Sequence, residues 1–467
     1  MSLTENLQTL MKALEAGNYN VAPSQLTQGA ALQTEDLSPV MHEVTYSNKH
    51  FKLLNLLPVK SVKSQLFQFN RKLSYGDFGG SAQFEGSVGR EDTSDFVRVV
   101  IPMAYYSNVR RVTLAAQQVA TFHGESMEEE AAKDAAMKIA GDIEFDLVFG
   151  QAHFSNAGVF DGNVAAMPDL IPNLRGIDAQ VRASDAQANA QDLMFAEFGS
   201  DISVVLPVDG VLTQSAIEDA AVRASFGFSS ADLLLVDPAA LAEYNKIAFQ
   251  RERIMLAGSP QESTGATLSQ QWTSLGPIAI QSSQFLRAKT APARAKATSP
   301  AAPAAPTAAA LLAAGSKLLA GNYIYFVTAV NINGESVASP TAIHTVASDG
   351  DAVQLTIAPV SGALYYNVYR SETDGSLKTA AFIGRVKQGS GPAVFIDMGN
   401  RAPMHTSAYL IEQKSMQIGE LMPYSRIKLA VHDLSMPEAH ARFLSLAVMQ
   451  PRKNVILDNI KGALRKK

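Results

Sequence analysis

The sequence predicts an α+β host chain interrupted by an all-β sandwich, and three observations carry that expectation. Helix-type and strand-type patterns mix from the N-terminus to about residue 290, and the same mixed texture returns after residue 406. Between them lies "AKATSPAAPAAPTAAA", residues 295–310, with three prolines, a single charge and no aromatic residue. From 315 to 405 the pattern is purely β. A chain of 467 residues is also long for one domain and predicts two to four units.

Residues 1–60 read as an N-terminal arm. In "MSLTENLQTLMKALEAGNYN", Leu3, Leu7, Leu10 and Leu14 recur at helical spacing with Glu5, Lys12 and Glu15 between them. That is an amphipathic helix and not the apolar core of a signal peptide. Residues 61–106 hold two β-type runs, 61–70 and 96–106, around a middle containing Gly76, Gly79, Gly80, Gly86 and Gly89. Glycine at that density predicts a long hairpin-like loop projecting from the body. A phosphate-binding loop is the competing reading, but no G-x-x-x-x-G-K-[ST] pattern is present.

Residues 107–160 contain the clearest helix, "SMEEEAAKDAAMKIAGDIEFDLVFG". Ser126 and Glu129 stand at capping-box spacing, and Glu128, Glu129 and Glu130 occupy the first turn, where the helix dipole favours acid. Ala132, Ala135, Ile139, Ile143 and Leu147 form the apolar stripe, and Gly150 marks a stop. Successive glutamates point around a helix, so the triplet reads as a solvated first turn and not as a metal site. Residues 161–290 are mixed: "TQSAIEDAAVRAS" as a helix, Leu233–Val236 as a short buried strand with a helix after Pro238, and "GPIAIQSSQFL" as a further strand. Trp272 is assigned no role.

Residues 291–314 then read as an extended, semi-stiff Ala/Pro linker. In 315–405, "GNYIYFVTAVNINGES" alternates Tyr323, Tyr325, Val327 and Ala329 before a turn, and five or six short strands in all predict a small sandwich. After about residue 406 the mixed texture returns: "SRIKLAVHDLSMPEAHARFLSLAVMQPRKNVILDNIKG" offers two strands around a short helical turn, and the chain ends in the basic tail "KGALRKK". The β unit is therefore a guest inserted in the host, on a leash that is long before it and short after it.

Composition excludes several functions. With net charge −5 there is no global basic field for nucleic acid. Zero cysteines remove disulfides, thiolate catalysis and cysteine-bound metal. No apolar run spans a membrane, because the uncharged stretch 297–316 is mostly alanine and holds Pro300, Pro303 and Pro306, so a soluble cytoplasmic product is expected. The histidines (His42, His50, His123, His153, His344, His405, His432 and His440) contain no H-x-x-x-H pair; His432 and His440, eight apart, are read as surface or core residues. No G-x-S-x-G elbow occurs. Arg452, Lys453, Lys461, Arg465, Lys466 and Lys467 offer non-specific phosphate attraction at most, and a solvated tail is the simpler reading. The expectation is a non-enzyme with no catalytic, cofactor-binding or metal residues and no cofactor.

The order of parts carries a resemblance. An arm with "LSPVMHEVTYSNKHFKLLNLLP" is followed by a Gly-rich extended loop with "LSYGDFGGSAQFEG", the strand "VRVVIPMAYYSNVRRVT" and a long helix ending "DIEFDLVFG". This order resembles the major capsid protein family of tailed bacteriophages, the tailed-phage/herpesvirus capsid fold. "ADLLLVDPAALAEY" and "GPIAIQSSQFL" are similar to its axial domain (161–290), and "LSLAVMQPRKNVILDNIKG" to the closing strand of its peripheral domain, which also takes 107–160 with the spine helix; 406–467 returns to both. The insert, 315–405, resembles an immunoglobulin-like or fibronectin type III module whose late-type segment comes first, as in a circular permutation.

The resemblance implies hexamers and pentamers that tile an icosahedral head around double-stranded DNA, with the insert on the outer surface. It implies a virion capsid assembled in the host cytoplasm. Its partners would be a separate scaffolding protein, a portal and a decoration protein, with DNA touched only non-specifically and no membrane. Some relatives carry a lysine–asparagine crosslink; Lys72 and Asn454 have suitable identities, and identity alone predicts no bond. The alternatives are a tail or fibre adhesin whose β module binds glycan, a hydrolase with an accessory β module, and a bacterial nanocompartment shell. Replacing residues 312–405 with a short Gly/Ser loop is expected to leave the host fold and its assembly intact.

Overall fold

The computed structural model describes residues 46–72, 75–76, 81–89, 91–118, 126–150, 174–186, 203–251, 269–287, 291–292, 300–312, 315–331, 334–389, 391–431 and 434–462. The helix expected at 1–20, most of the arm, Gly79, Gly80, His42, His123, His153, His432 and the tail residues Arg465–Lys467 lie outside them.

After a 3-10 turn (Asn48–His50), the described residues form a single helical turn, α1 (Leu53–Leu56), then β1 (Val59–Ser61) and a hairpin of β2 (Leu66–Lys72) and β3 (Phe96–Pro102). Next come β4 (Ala104–Thr113), α2 (Leu114–Gln118), the 23-residue α3 (Met127–Phe149) and α4 (Ile177–Ala186). β5 (Val205–Gly210), α5 (Gln214–Phe226), β6 (Leu233–Val236), α6 (Pro238–Arg251), β7 (Gln270–Thr273) and β8 (Gly276–Ser282) follow. An all-β stretch then runs through β9 (Thr307–Leu311), β10 (Gly321–Asn331), β11 (Gly334–Glu335), β12 (Ala342–Val346), β13 (Ala352–Ile357), β14 (Tyr365–Arg370), β15 (Ala381–Lys387) and β16 (Ala393–Asp397). The chain closes with β17 (His405–Ile411), β18 (Met416–Lys428), β19 (Ser435–Val448) and β20 (Val455–Lys461).

Two host sheets form, β1-β18-β19-β4 and β5-β20-β17-β6-β8-β7. Helix α3 starts where the Ser126 hydroxyl accepts from the Glu129 amide, and stops at Gly150. A Cβ on Gly150 would stand 2.1 Å from the Leu174 carbonyl, so only glycine permits that approach. At about 1.5 Å per residue α3 runs roughly 35 Å. It buries Ile139, Ile143, Leu147 and Val148 in one core with α4, α5 and the six-stranded sheet. No described residue between Leu286 and Ala408 belongs to that core. Where the sequence reads two strands around a helical turn near the C-terminus, three strands form, because β18 and β19 make a long antiparallel pair ahead of β20.

The stretch 307–397 has a core of its own, built from Tyr323, Tyr325, Val327, Val353, Leu355, Ile357, Tyr366 and Val368 between sheets β16-β13-β9 and β12-β10-β14-β15. It leaves the host after β8 and returns at β17. Both strands flank β6, β8 parallel and β17 antiparallel to it, so the exit and return points share one end of the sheet, about 10 Å apart. The segment expected as spacer is more ordered than its composition. Pro300, Pro303 and Pro306 are buried while the residues between them are exposed, the one-sided contact of a three-residue-per-turn polyproline II helix. Thr307–Leu311 then pairs with β13 through its backbone, an interaction that alanine side chains do not announce.

Candidate functional site

The β2–β3 hairpin is anchored at its base and bare at its tip. Phe67, Val99, Ile101 and Met103 are buried with Ala447 of β19, and Arg71 Nε donates to the Met449 carbonyl at 2.6 Å. Farther out, Tyr75, Phe84, Val88 and Phe96 are 82%, 92%, 94% and 65% exposed. The Lys72 ammonium lies 4.0 Å from the Tyr75 ring centroid and 5.4 Å from that of Phe96. Gly76 and Gly86 take φ of +117° and +84°, a left-handed region that favours glycine. These two glycines therefore sit in turns between β2 and β3, and among the described residues no helix N-terminus follows them before β3, as a phosphate site requires.

Helix α3 is clasped at both ends. Near its C-terminus, the Tyr106 hydroxyl donates to Asp146 at 2.7 Å; burial first, then the Asp146 charge, pushes that phenol up. Near its N-terminus, Glu128 pairs with Arg426, which also binds Glu438, and with Lys428 at 3.5 Å. Burial raises the Glu438 carboxyl, but Arg426 outweighs it and holds the group below its usual range. Tyr424 Oη stands 2.9 Å from Nδ1 of the fully buried His440, and burial lowers that imidazole. The three glutamates do not converge: Glu128 joins this clasp while Glu129 supplies its amide to Ser126.

The all-β unit is docked on the host. Lys317 pairs with Asp209 at 2.9 Å. Asn459 binds both sides of the returning chain, its amide nitrogen donating to Asn400 O and its oxygen accepting from Ala402 N at 3.1 Å. Phe326 and Tyr369 stack with centroids 5.0 Å apart and pack with Phe382 and with Ala291 of the incoming chain. Phe382, Arg385 and Arg401 share a cleft with Phe145, Phe149 and Asp178 of the host helices. The outward face of β10-β14-β15 is thus turned to the host.

Other candidates from the sequence are dispersed. His50 bonds within its own turn to Ser47, and His344 and His405 sit on separate strands. Arg452 is buried and Lys453 pairs with Glu412 at 3.3 Å, so neither forms a phosphate-facing stripe. Asn454 is 1% exposed and its amide is engaged by the Glu412 nitrogen, Ser415 and Gln450. Trp272 lies on β7, 72% exposed. Among the described residues no three His, Asp or Glu are grouped to hold a metal ion, and no helix is long and apolar enough to cross a membrane.

No protein-family model matches the chain, and no curated protein matches it. Solved structures that align with the chain include capsids and an encapsulin. The capsid of the native GTA particle aligns with TM-score 0.47 and 10% identity over 95% of this chain and 99% of that one. The capsid of cyanophage P-SCSP1u gives 0.42 and 10% over 95% and 100%. The holo-SrpI encapsulin complex of Synechococcus elongatus gives 0.39 and 10% over 95% and 98%.

Sequence reasoning missed the docking seam, the clasp around His440, and Glu144. For Glu144 a signal exists, an acid set next to Ile143 in a buried stripe. For the seam none does, since each residue belongs to an otherwise ordinary strand or loop.

Proposed function

We propose that this chain is a structural, shell-forming capsid protein. The observation that supports it most is the hairpin of residues 66–102, fixed at its base to the host sheet while its tip presents Tyr75, Phe84 and Val88 uncovered. A lone chain gains nothing by exposing those groups, whereas many copies overlapping their neighbours bury them repeatedly. The long spine helix and the two host sheets supply a rigid body that carries the hairpin. In this reading the copies form hexamers and pentamers of an icosahedral head around double-stranded DNA, which a net-acidic chain contacts only non-specifically. The chain acts without turnover, in the virion capsid, after assembly in the host cytoplasm with a scaffolding protein, a portal and a decoration protein.

The insert takes the outer surface in this reading, as a permuted immunoglobulin-like module. The Tyr323 hydroxyl donates to the Leu319 carbonyl four residues upstream at 2.9 Å, the geometry of a tyrosine corner at a late strand. That late-type strand, β10, precedes β13 and β14 in the chain. With β10-β14-β15 turned inward, the face carrying Val394 and Ile396 is the one left outward.

Negative-stain electron microscopy of the concentrated full chain, alone and with the products of neighbouring genes, tests the proposal. Closed shells or six-membered rings with surface knobs are expected. Monomers under every condition overturn it.

A further inference from the structure

Beneath the N-terminal half of α3, three buried nitrogens on one sheet face have no hydrogen-bond partner among the described residues: Asn108 Nδ2, Arg110 Nε and His440 Nε2. Asn108 and His440 are direct partners across β4 and β19, and Arg110 stands two residues on, opposite Glu438. Residues two apart on a strand, and residues paired across it, share a face. Tyr106 and Tyr424 identify that face as the one under α3, since Tyr106 binds Asp146 and Tyr424 reaches the Ala132 carbonyl at 3.4 Å. The stretch of α3 above holds Ala131, Ala132, Ala135 and Ala136, which offer no side-chain acceptor, while Asp134 points to solvent.

All three atoms are donors. Asn108 Nδ2 and Arg110 Nε cannot be otherwise. Tyr424 Oη stands 2.9 Å from His440 Nδ1 and 3.4 Å from Ala132 O; with its proton on the shorter contact Nε2 carries the ring hydrogen, and that tautomer is part of the proposal. The charges acting on the His440 ring are Arg426 and Arg110 against Glu438, a surplus of one positive. Leaving three buried donors unmatched is costly, and a water accepts only two hydrogen bonds.

We propose that Asn108, Arg110 and His440 bind one small monatomic anion of chloride size between the sheet and α3. The anion meets three donors at once, offsets the surplus charge and ties β4 to β19 beneath the spine helix.

Thermal unfolding of the full chain in sodium chloride and in sodium gluconate at equal ionic strength tests this. Chloride is expected to raise Tm saturably by about 2 °C or more. Asn108→Asp places a carboxylate among the donors, so it is expected to keep the higher Tm in gluconate and to lose the chloride response. A bromide-soaked crystal is expected to show an anomalous peak between the three side chains. Equal Tm in the two salts, an unchanged chloride response in Asn108→Asp, or bromide absent from this place overturns the proposal. None of these readouts depends on shell assembly, so its failure is distinct from failure of the capsid reading.

Discussion

The carboxylate of Glu144, in the middle of α3, lies 2.9 Å from the backbone nitrogen of Leu53. It also accepts from Lys52 N at 2.8 Å and Leu54 N at 2.9 Å, so one buried acid satisfies three amide donors at the start of α1. Burial pushes the Glu144 carboxyl up, and the three amides pull it back down. Glu144→Gln puts an amide donor against backbone donors and leaves at least one unmatched. It is expected to cost about 2 kcal/mol, read as a lowered denaturation midpoint with little change in slope. A variant as stable as the parent would show that solvent replaces the carboxylate.

Excision of the β unit has bounds that composition alone misplaces. Replacing 312–405 would strand β9 without β13 and remove His405, which pairs with Lys461 in the host sheet. Replacing 291–402 with a short Gly/Ser loop removes the unit whole and spans two strand spacings, about 10 Å. The host core contains no described residue of that stretch, so the host is expected to keep its circular-dichroism signature and its assembly. Loss of cooperative unfolding would mean that the docked face is part of the host core.

Within the β unit, Arg370 and Asp397 form an ion pair at 2.6 Å, both nearly inaccessible, and Tyr325 donates to the same carboxylate at 2.9 Å. Asp397→Ala leaves a buried guanidinium without its partner, which costs about 3–5 kcal/mol. Because this unit has its own core, calorimetry should show its transition falling in temperature while the host transition stays. A shift of both transitions together would mean that the docking seam couples them.

How far the sequence carried this fold follows from where its information is local. Ser126 and Gly150 bound α3 because a cap and a close backbone approach are written in single residues. The strand expected at Leu233–Val236 is there, since four apolar residues before Asp-Pro leave few alternatives. By composition the tract 300–311 belongs to the 291–314 spacer, but its order comes from three prolines one turn apart and from backbone pairing to β13, neither of which composition weighs. Asn108, Arg110 and His440 meet only through strand register across more than 300 residues of chain. The shell reading rests on the exposed hairpin, legible as glycines and aromatics; its partner surfaces were not.

The hairpin tip provides the direct mutational test of that reading. Phe84 and Val88 touch nothing in their own chain that shields them, so Phe84→Ser with Val88→Ser should change chain stability by no more than about 0.5 kcal/mol. Assembly should suffer instead, with a several-fold higher concentration needed for particles in light scattering. Unaltered assembly would remove the hairpin tip from the contact.

The clasp on α3 predicts a pH response through His440. Burial lowers its pKa in the folded chain, with Arg426 and Arg110 adding to the shift and Glu438 opposing it. The unfolded chain therefore binds the proton more readily, starting near the free imidazole value of about 6.5. Stability is full above that value and falls as pH drops through it, levelling off below the folded pKa. Glu438, held low by Arg426, adds a further loss only in the more acidic range where it protonates. Unfolding midpoints between pH 8 and pH 5 should decline in the parent and flatten in His440→Gln, which keeps a polar partner for Tyr424 without a titrating ring. A decline of equal size in both would assign the effect to other groups and leave the clasp indifferent to pH.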